Sequence, residues 1–138
     1  MSIDANKTII GRFFEEVFNQ QSRRAAAELI DPALVVHHPL LPGGAGGVQD
    51  VVQMMGEFRR AFPDLSYAVD DLVGEHDKVA ARWTARGTHR GDFKGVPATD
   101  RAVTVAGTDI FVIANGRIVE TWVSSDLLGL MRQIGAVT

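Results

Sequence analysis

The chain has 138 residues, 46% of them hydrophobic and 22% charged, which suits one soluble domain, residues 1–138, with a full core. With 17 acidic and 14 basic residues the net charge is −3, so no basic excess is available for phosphate backbones and a nucleic-acid partner is not expected. Cysteine is absent, which excludes disulfides, thiolate catalysis and zinc–sulfur sites. No apolar run is long enough to span a membrane. The opening MSIDANKTII carries an acid and lacks the apolar core of a signal peptide, so a cytoplasmic protein is expected.

The first half reads as helical. Ile9, Ile10, Phe13, Phe14, Val17 and Phe18 follow the three-and-four spacing of one helix face. Ser22 caps a second, short helix carrying Ala26, Leu29 and Ile30, and Pro32 marks its end. Leu34-Val35-Val36 is a short β-like run leading into His37-His38-Pro39 and the glycine-rich loop LPGGAGG. Val48, Val51, Val52, Met55, Phe58 and Phe62 mark a third amphipathic helix, stopped by Pro63. The glycine loop lacks the lysine and the setting of a phosphate-binding loop and reads as a mobile entrance segment.

The second half reads as antiparallel strands over residues 65–74, 78–89, 102–114 and 117–124, with a terminal helix over 126–133. His76-Asp77 turns the first pair, and Asn115-Gly116 is the strongest hairpin signal in the chain. Helices first and long strands after predict an α+β fold. A twisted sheet of long strands curls, and helices over one face leave a cavity between them.

Two features of the strands bear on chemistry. In residues 78–89, Arg82, Thr84 and Arg86 share one face while Ala81, Trp83 and Ala85 share the other; alternation alone leaves open which faces the cavity. Asp126 stands where the last strand meets the last helix, just past Trp122. A carboxylate there suits a pocket, yet Ser124, Ser125 and Asp126 are all good N-cap residues, and local chemistry alone favours the cap.

The segments AFPDL (61–65), ARWTARGTHRGDFKGVPATDR (81–101), NGRIVETW (115–122) and DLLGLMRQIG (126–135) resemble the SnoaL-like polyketide cyclase family, of the nuclear transport factor two-like superfamily. The resemblance runs over essentially the whole chain. It implies a cone-shaped α+β barrel, a deep apolar pocket for a hydrophobic small molecule, a homodimer, and no metal or organic cofactor. It further implies a general-base aspartate before the final helix, which removes a carbon-bound proton so that an intramolecular aldol condensation closes a ring. The matching residue is Asp126.

On that expectation Trp122 supplies an apolar wall that raises the Asp126 pKa, and His38 assists by donating to an enolate oxygen. Phe14, Phe18, Met55 and Phe58 complete the apolar lining, and Arg82 is a substrate-site residue. Pairing of Arg82 with Asp126 would instead depress the carboxylate pKa and suit water activation, as in epoxide hydrolases of the superfamily. Val112 stands where the cyclases tend to place a polar group, which favours a rival reading, a non-catalytic binder of hydrophobic ligands; another isomerase or hydrolase of the superfamily is a third.

Overall fold

A computed structural model describes residues 2–138. Helix α1 (Ile3–Arg12) starts where the Ser2 hydroxyl accepts the Ala5 N–H at 3.0 Å. The helix expected to run on through Phe18 changes character at Phe13: residues Phe13–Asn19 form a π-helical segment. The wider turn brings residues five apart together, and the Phe13 and Phe18 rings lie 4.7 Å from one another. Asn19 fixes the end of this segment by accepting the Tyr67 N–H at 2.8 Å and donating to the Tyr67 carbonyl at 2.9 Å. Helix α2 (Arg23–Leu29) is capped by Ser22, as its sequence predicts.

Strand β1 (Ile30–His37) begins earlier than the short apolar run suggests and includes Pro32. After a 3₁₀ turn at Pro42–Gly44 and the two-residue strand β2 (Ala45–Gly46), helix α3 (Val48–Ala61) crosses the molecule. Strands β3 (Ser66–Glu75), β4 (Lys78–Thr88), β5 (Ala102–Ala114) and β6 (Arg117–Ser125) follow, then helix α4 (Leu127–Gln133).

The six strands form one open sheet in the order β2-β1-β6-β5-β4-β3. Neighbours are antiparallel except β1 and β6, which are parallel. The helices cover one face, here the inner face. Val79, Ala81, Trp83 and Ala85 of β4, and Val103, Phe111 and Ile113 of β5, are buried there against Ile10, Phe13 and Phe14. The residues between them on each strand point outwards. Asn115 and Gly116 make the expected turn, both at positive φ. Two residues further on, the β5–β6 register shifts between Val112 and Ile113, a bulge that reverses the facing of everything beyond it on β6. Gln133 docks α4 by exchanging two 2.8 Å hydrogen bonds with the Thr104 backbone. Among the described residues no helix is long and apolar enough to cross a membrane.

Candidate active site

Between the inner sheet face and the helices lies a cavity of about 460 Å³. Its wall is mostly apolar: Phe13, Val17 and Phe18 of the π-helical segment, Met55 and Phe58 of α3, and Val105, Phe111 and Val123 of the sheet. Helix α3 presents Val48, Val51, Met55 and Phe58 to the cavity, and these side chains are only half-buried because their face meets open space. The polar groups in the wall are few, and each is placed by a definable local feature.

Asp109 is the central one. It lies on β5 between Gly107 and Phe111, on the inner face, and is only 4% exposed. Its Oδ1 accepts the Trp83 indole N–H at 3.0 Å. This contact depends on a glycine. Trp83 pairs directly with Gly107 across the β4–β5 ladder, and a Cβ on residue 107 would stand 2.2 Å from the indole ring. Without a side chain at 107 the indole lies across β5 and its N–H reaches the carboxylate two residues along. Burial raises the Asp109 pKa to about 7, while the indole N–H and the Ser124 backbone N–H pull it down by less. Asp109 is thus a carboxylate held near the point of half-ionisation at neutral pH, in an apolar cavity.

His38 follows β1, is 5% exposed and lines the cavity. Its Nδ1 accepts the Leu40 N–H at 3.0 Å, which leaves the proton on Nε2. Burial, with a contribution from Lys94, lowers its pKa, so the ring is a neutral donor near pH 7. The Tyr67 phenol stays protonated, because burial and then the Asp109 charge push its pKa well up, with Arg59 opposing. Thr121 on β6 is buried in the wall, and its Oγ1 has no hydrogen-bond partner. The cavity wall therefore holds one near-neutral base, several neutral donors and two arginines, Arg23 and Arg59. Among the described residues no three His, Asp or Glu side chains converge as metal ligands.

The residues expected from sequence divide in two. His38, Phe18, Met55 and Phe58 stand in the cavity wall. Phe14 lies just behind it, packed edge-on against Phe13, Phe18 and Phe111. Three others lie elsewhere. Trp122 is on the outer face, 39% exposed, stacked on His37 with centroids 5.0 Å apart; it forms no wall of the cavity. Arg82 is also on the outer face, where its partner is Asp70 at 3.8 Å, and it makes no pair with Asp126. Asp126 is exposed and caps α4, accepting the Gly129 N–H at 2.8 Å. The carboxylate folds over that turn so closely that a Cβ on Gly129 would come within 2.2 Å of it. The pocket-facing Asp126 expected from sequence is therefore corrected to an exposed cap. Val112 points outwards too, so its apolar character carries no information about the cavity.

The residues missed were Asp109 as a site residue and the Trp83–Gly107 arrangement that holds it. A glycine inside a strand is the one local signal that marks a close approach by another group.

A sheet partly wrapped by helices, with an apolar cavity and a buried carboxylate in its wall, defines a class of small pocket proteins of the nuclear transport factor two-like α+β type. Residues 8–134 match the family model for SnoaL-like polyketide cyclase, and the chain belongs to that family. Among solved structures, TsrD from Streptomyces laurentii is 30% identical with a TM-score of 0.85, and 99% of each chain is covered. IdmH from Streptomyces antibioticus, a candidate polyketide cyclase, is 32% identical with a TM-score of 0.83, covering 94% of this chain and 98% of its own. AclR from Streptomyces galilaeus, a candidate hydroxylase, shares the fold at 24% identity and a TM-score of 0.86, covering 99% of this chain and all of its own. No curated protein matches the sequence.

Proposed function

We propose that this chain is a cyclase of the SnoaL-like type in which Asp109 is the general base. The observation that carries the reading is a buried carboxylate whose pKa is raised to about 7 inside an apolar cavity. A base near the working pH is best suited to removing a proton from a carbon next to a carbonyl. The ionised Asp109 takes that proton, and the electron pair of the C–H bond becomes the enolate. The His38 Nε2–H and the Tyr67 hydroxyl are neutral donors suited to the enolate oxygen. The enolate carbon then attacks a second carbonyl of the same molecule, closing a ring, and protonated Asp109 returns its proton to the new alkoxide. The substrate is a hydrophobic carbonyl compound, and the step needs neither metal nor organic cofactor.

The homodimer implied by the family resemblance belongs to the same reading. Val35, Ile110 and Trp122 on the outer sheet face give it an apolar surface. The hydrolase alternative loses its motivating pair, because Arg82 and Asp126 are apart. The test is NMR-detected exchange of α-protons for deuterium in a panel of hydrophobic β-keto esters. Exchange by the wild type that disappears in folded Asp109→Asn and persists in Asp126→Asn is the expected result. Exchange that persists in Asp109→Asn would overturn the assignment.

A further inference from the structure

The charges in the cavity wall are opposite in sign to those of the chain. The protein carries −3 overall, yet the lining contains two arginines, Arg23 and Arg59, against one carboxylate, Asp109, itself half-neutralised near pH 7. Neither arginine has a carboxylate within ion-pairing distance among the described residues. Arg23 is the first residue of α2, next to its cap Ser22, and is exposed. Arg59 is further in, and it is held. Its Nη1 donates to the Leu65 carbonyl at 2.6 Å and its Nη2 to the Phe18 carbonyl.

Carbonyls orient a guanidinium without cancelling its charge. A guanidinium has five N–H donors, and two are used here. The remaining donors and the full positive charge belong to a rigid fork at one side of an apolar cavity. Arg59 is only partly buried, so water can reach its free donors, and an anion brought by a ligand can replace that water through charge-assisted hydrogen bonds. The other polar pole is Asp109. A chain of contacts links them: Tyr67, two residues along from Leu65, packs on Trp83 with ring centroids 5.2 Å apart, and the Trp83 indole donates to Asp109. Tyr67 feels both poles, since Asp109 raises its pKa and Arg59 lowers it.

We infer that Arg59 is a specificity residue for an anionic group, and that the ligand of this cavity is an apolar, ring-containing carboxylic acid. Its carboxylate sits at the Arg59 end and its carbon acid, one aromatic pair away, at Asp109. The inference rests on the proposed function for the role of Asp109, but the recognition of the carboxylate does not depend on catalysis.

A matched pair of probes tests it: anthracene-2-carboxylate and anthracene-2-carboxamide, which differ in charge and hardly in shape. Calorimetric titration of the wild type should show the carboxylate binding about 10- to 100-fold more tightly, the range of a charge-assisted hydrogen-bonded contact. Arg59→Met should abolish the preference while leaving carboxamide affinity within a few-fold, and Arg23→Gln should leave most of it. Equal wild-type affinities overturn the inference, whatever the variants do, and so does binding of neither probe. A preference that survives Arg59→Met but not Arg23→Gln overturns the assignment to Arg59. Because Arg59 also ties down two carbonyls, Arg59→Lys is included; it keeps the charge and should retain a reduced carboxylate preference. Failure here with α-proton exchange intact would leave the catalytic reading standing, whereas a carboxylate preference without exchange would sink that reading alone.

Discussion

Asp109 and Asp126 occupy opposite environments on the same side of the sequence. Asp109 is inside, 4% exposed, with one indole donor and an apolar surround; Asp126 is outside, at a helix end, bonded to a backbone N–H. Both are carboxylates near an aromatic residue, and motif reading favours the second. Physical chemistry favours the first, because desolvation lifts Asp109 into the range of a useful base. The two tryptophans repeat the contrast. Trp83 holds Asp109 from within, while Trp122 stacks on His37 over the outer face, with the Glu120 carboxylate 2.7 Å from the His37 ring.

The sharpest way to break this comparison is Asp109→Asn. It should lower α-proton exchange by about 10²- to 10⁴-fold, the usual contribution of a positioned base. It should also change stability in a pH-dependent way. The folded-state pKa, about 7, is above the ordinary value of 3.8, so the folded protein keeps a proton that the unfolded chain releases. That contribution is complete below 3.8 and is lost as the pH rises through 7. The gap corresponds to on the order of 4 kcal/mol. Asparagine does not titrate, so denaturant melts at pH 4 and pH 8 should show a smaller loss of stability for Asp109→Asn than for wild type. Parallel losses would mean that the carboxylate is ionised at ordinary pH.

The next largest effect tests what holds the base. Gly107→Val puts atoms where the Trp83 indole lies and should cost about 1–3 kcal/mol through overpacking. It should also displace the indole from Asp109. Trp83→Phe isolates the hydrogen bond: it keeps most of the ring and removes the N–H. That donor stabilises the ionised form, so its loss raises the Asp109 pKa further. The rising limb of kcat/KM with pH, placed near 7 in the wild type, should move to higher pH in Trp83→Phe. An unmoved limb would assign the titration to another group.

Most of the fold is legible in the sequence because hydrophobic period and turn chemistry are local. The Asn115-Gly116 hairpin, the span of β5, the Ser22 cap and α3 before Pro63 all follow from residues a few positions apart. The π-helical segment does not, because Phe13, Phe14, Val17 and Phe18 fit an α-helical stripe equally well, and its end is set by Asn19 meeting Tyr67, 48 residues away. The site was harder to read because alternation gives two faces without saying which is inner. The bulge beyond the Asn115-Gly116 turn made this worse. Carried on from the Ile113–Ile118 pair without a shift, the ladder would set Trp122 opposite Asp109, on one face. With the shift, Asp109 faces Val123, and Trp122 pairs with Ile110 on the outside. One extra residue thus exchanges wall for surface, and no local sequence signal marks it.

The smallest effect expected concerns Asp126, and it separates the two aspartates most cleanly. Asp126→Ala removes the acceptor for the Gly129 N–H and should cost about 1 kcal/mol of stability, the usual value of a lost N-cap. Asp126→Asn keeps a capping oxygen and should cost less. Because α4 is docked independently by Gln133 on the Thr104 backbone, neither change should disturb the cavity. Exchange rates measured under conditions where both variants are folded should match the wild type. A folded Asp126→Asn protein without exchange would return the base to Asp126, and would require that α4 unwind at its first turn to carry that carboxylate to the cavity.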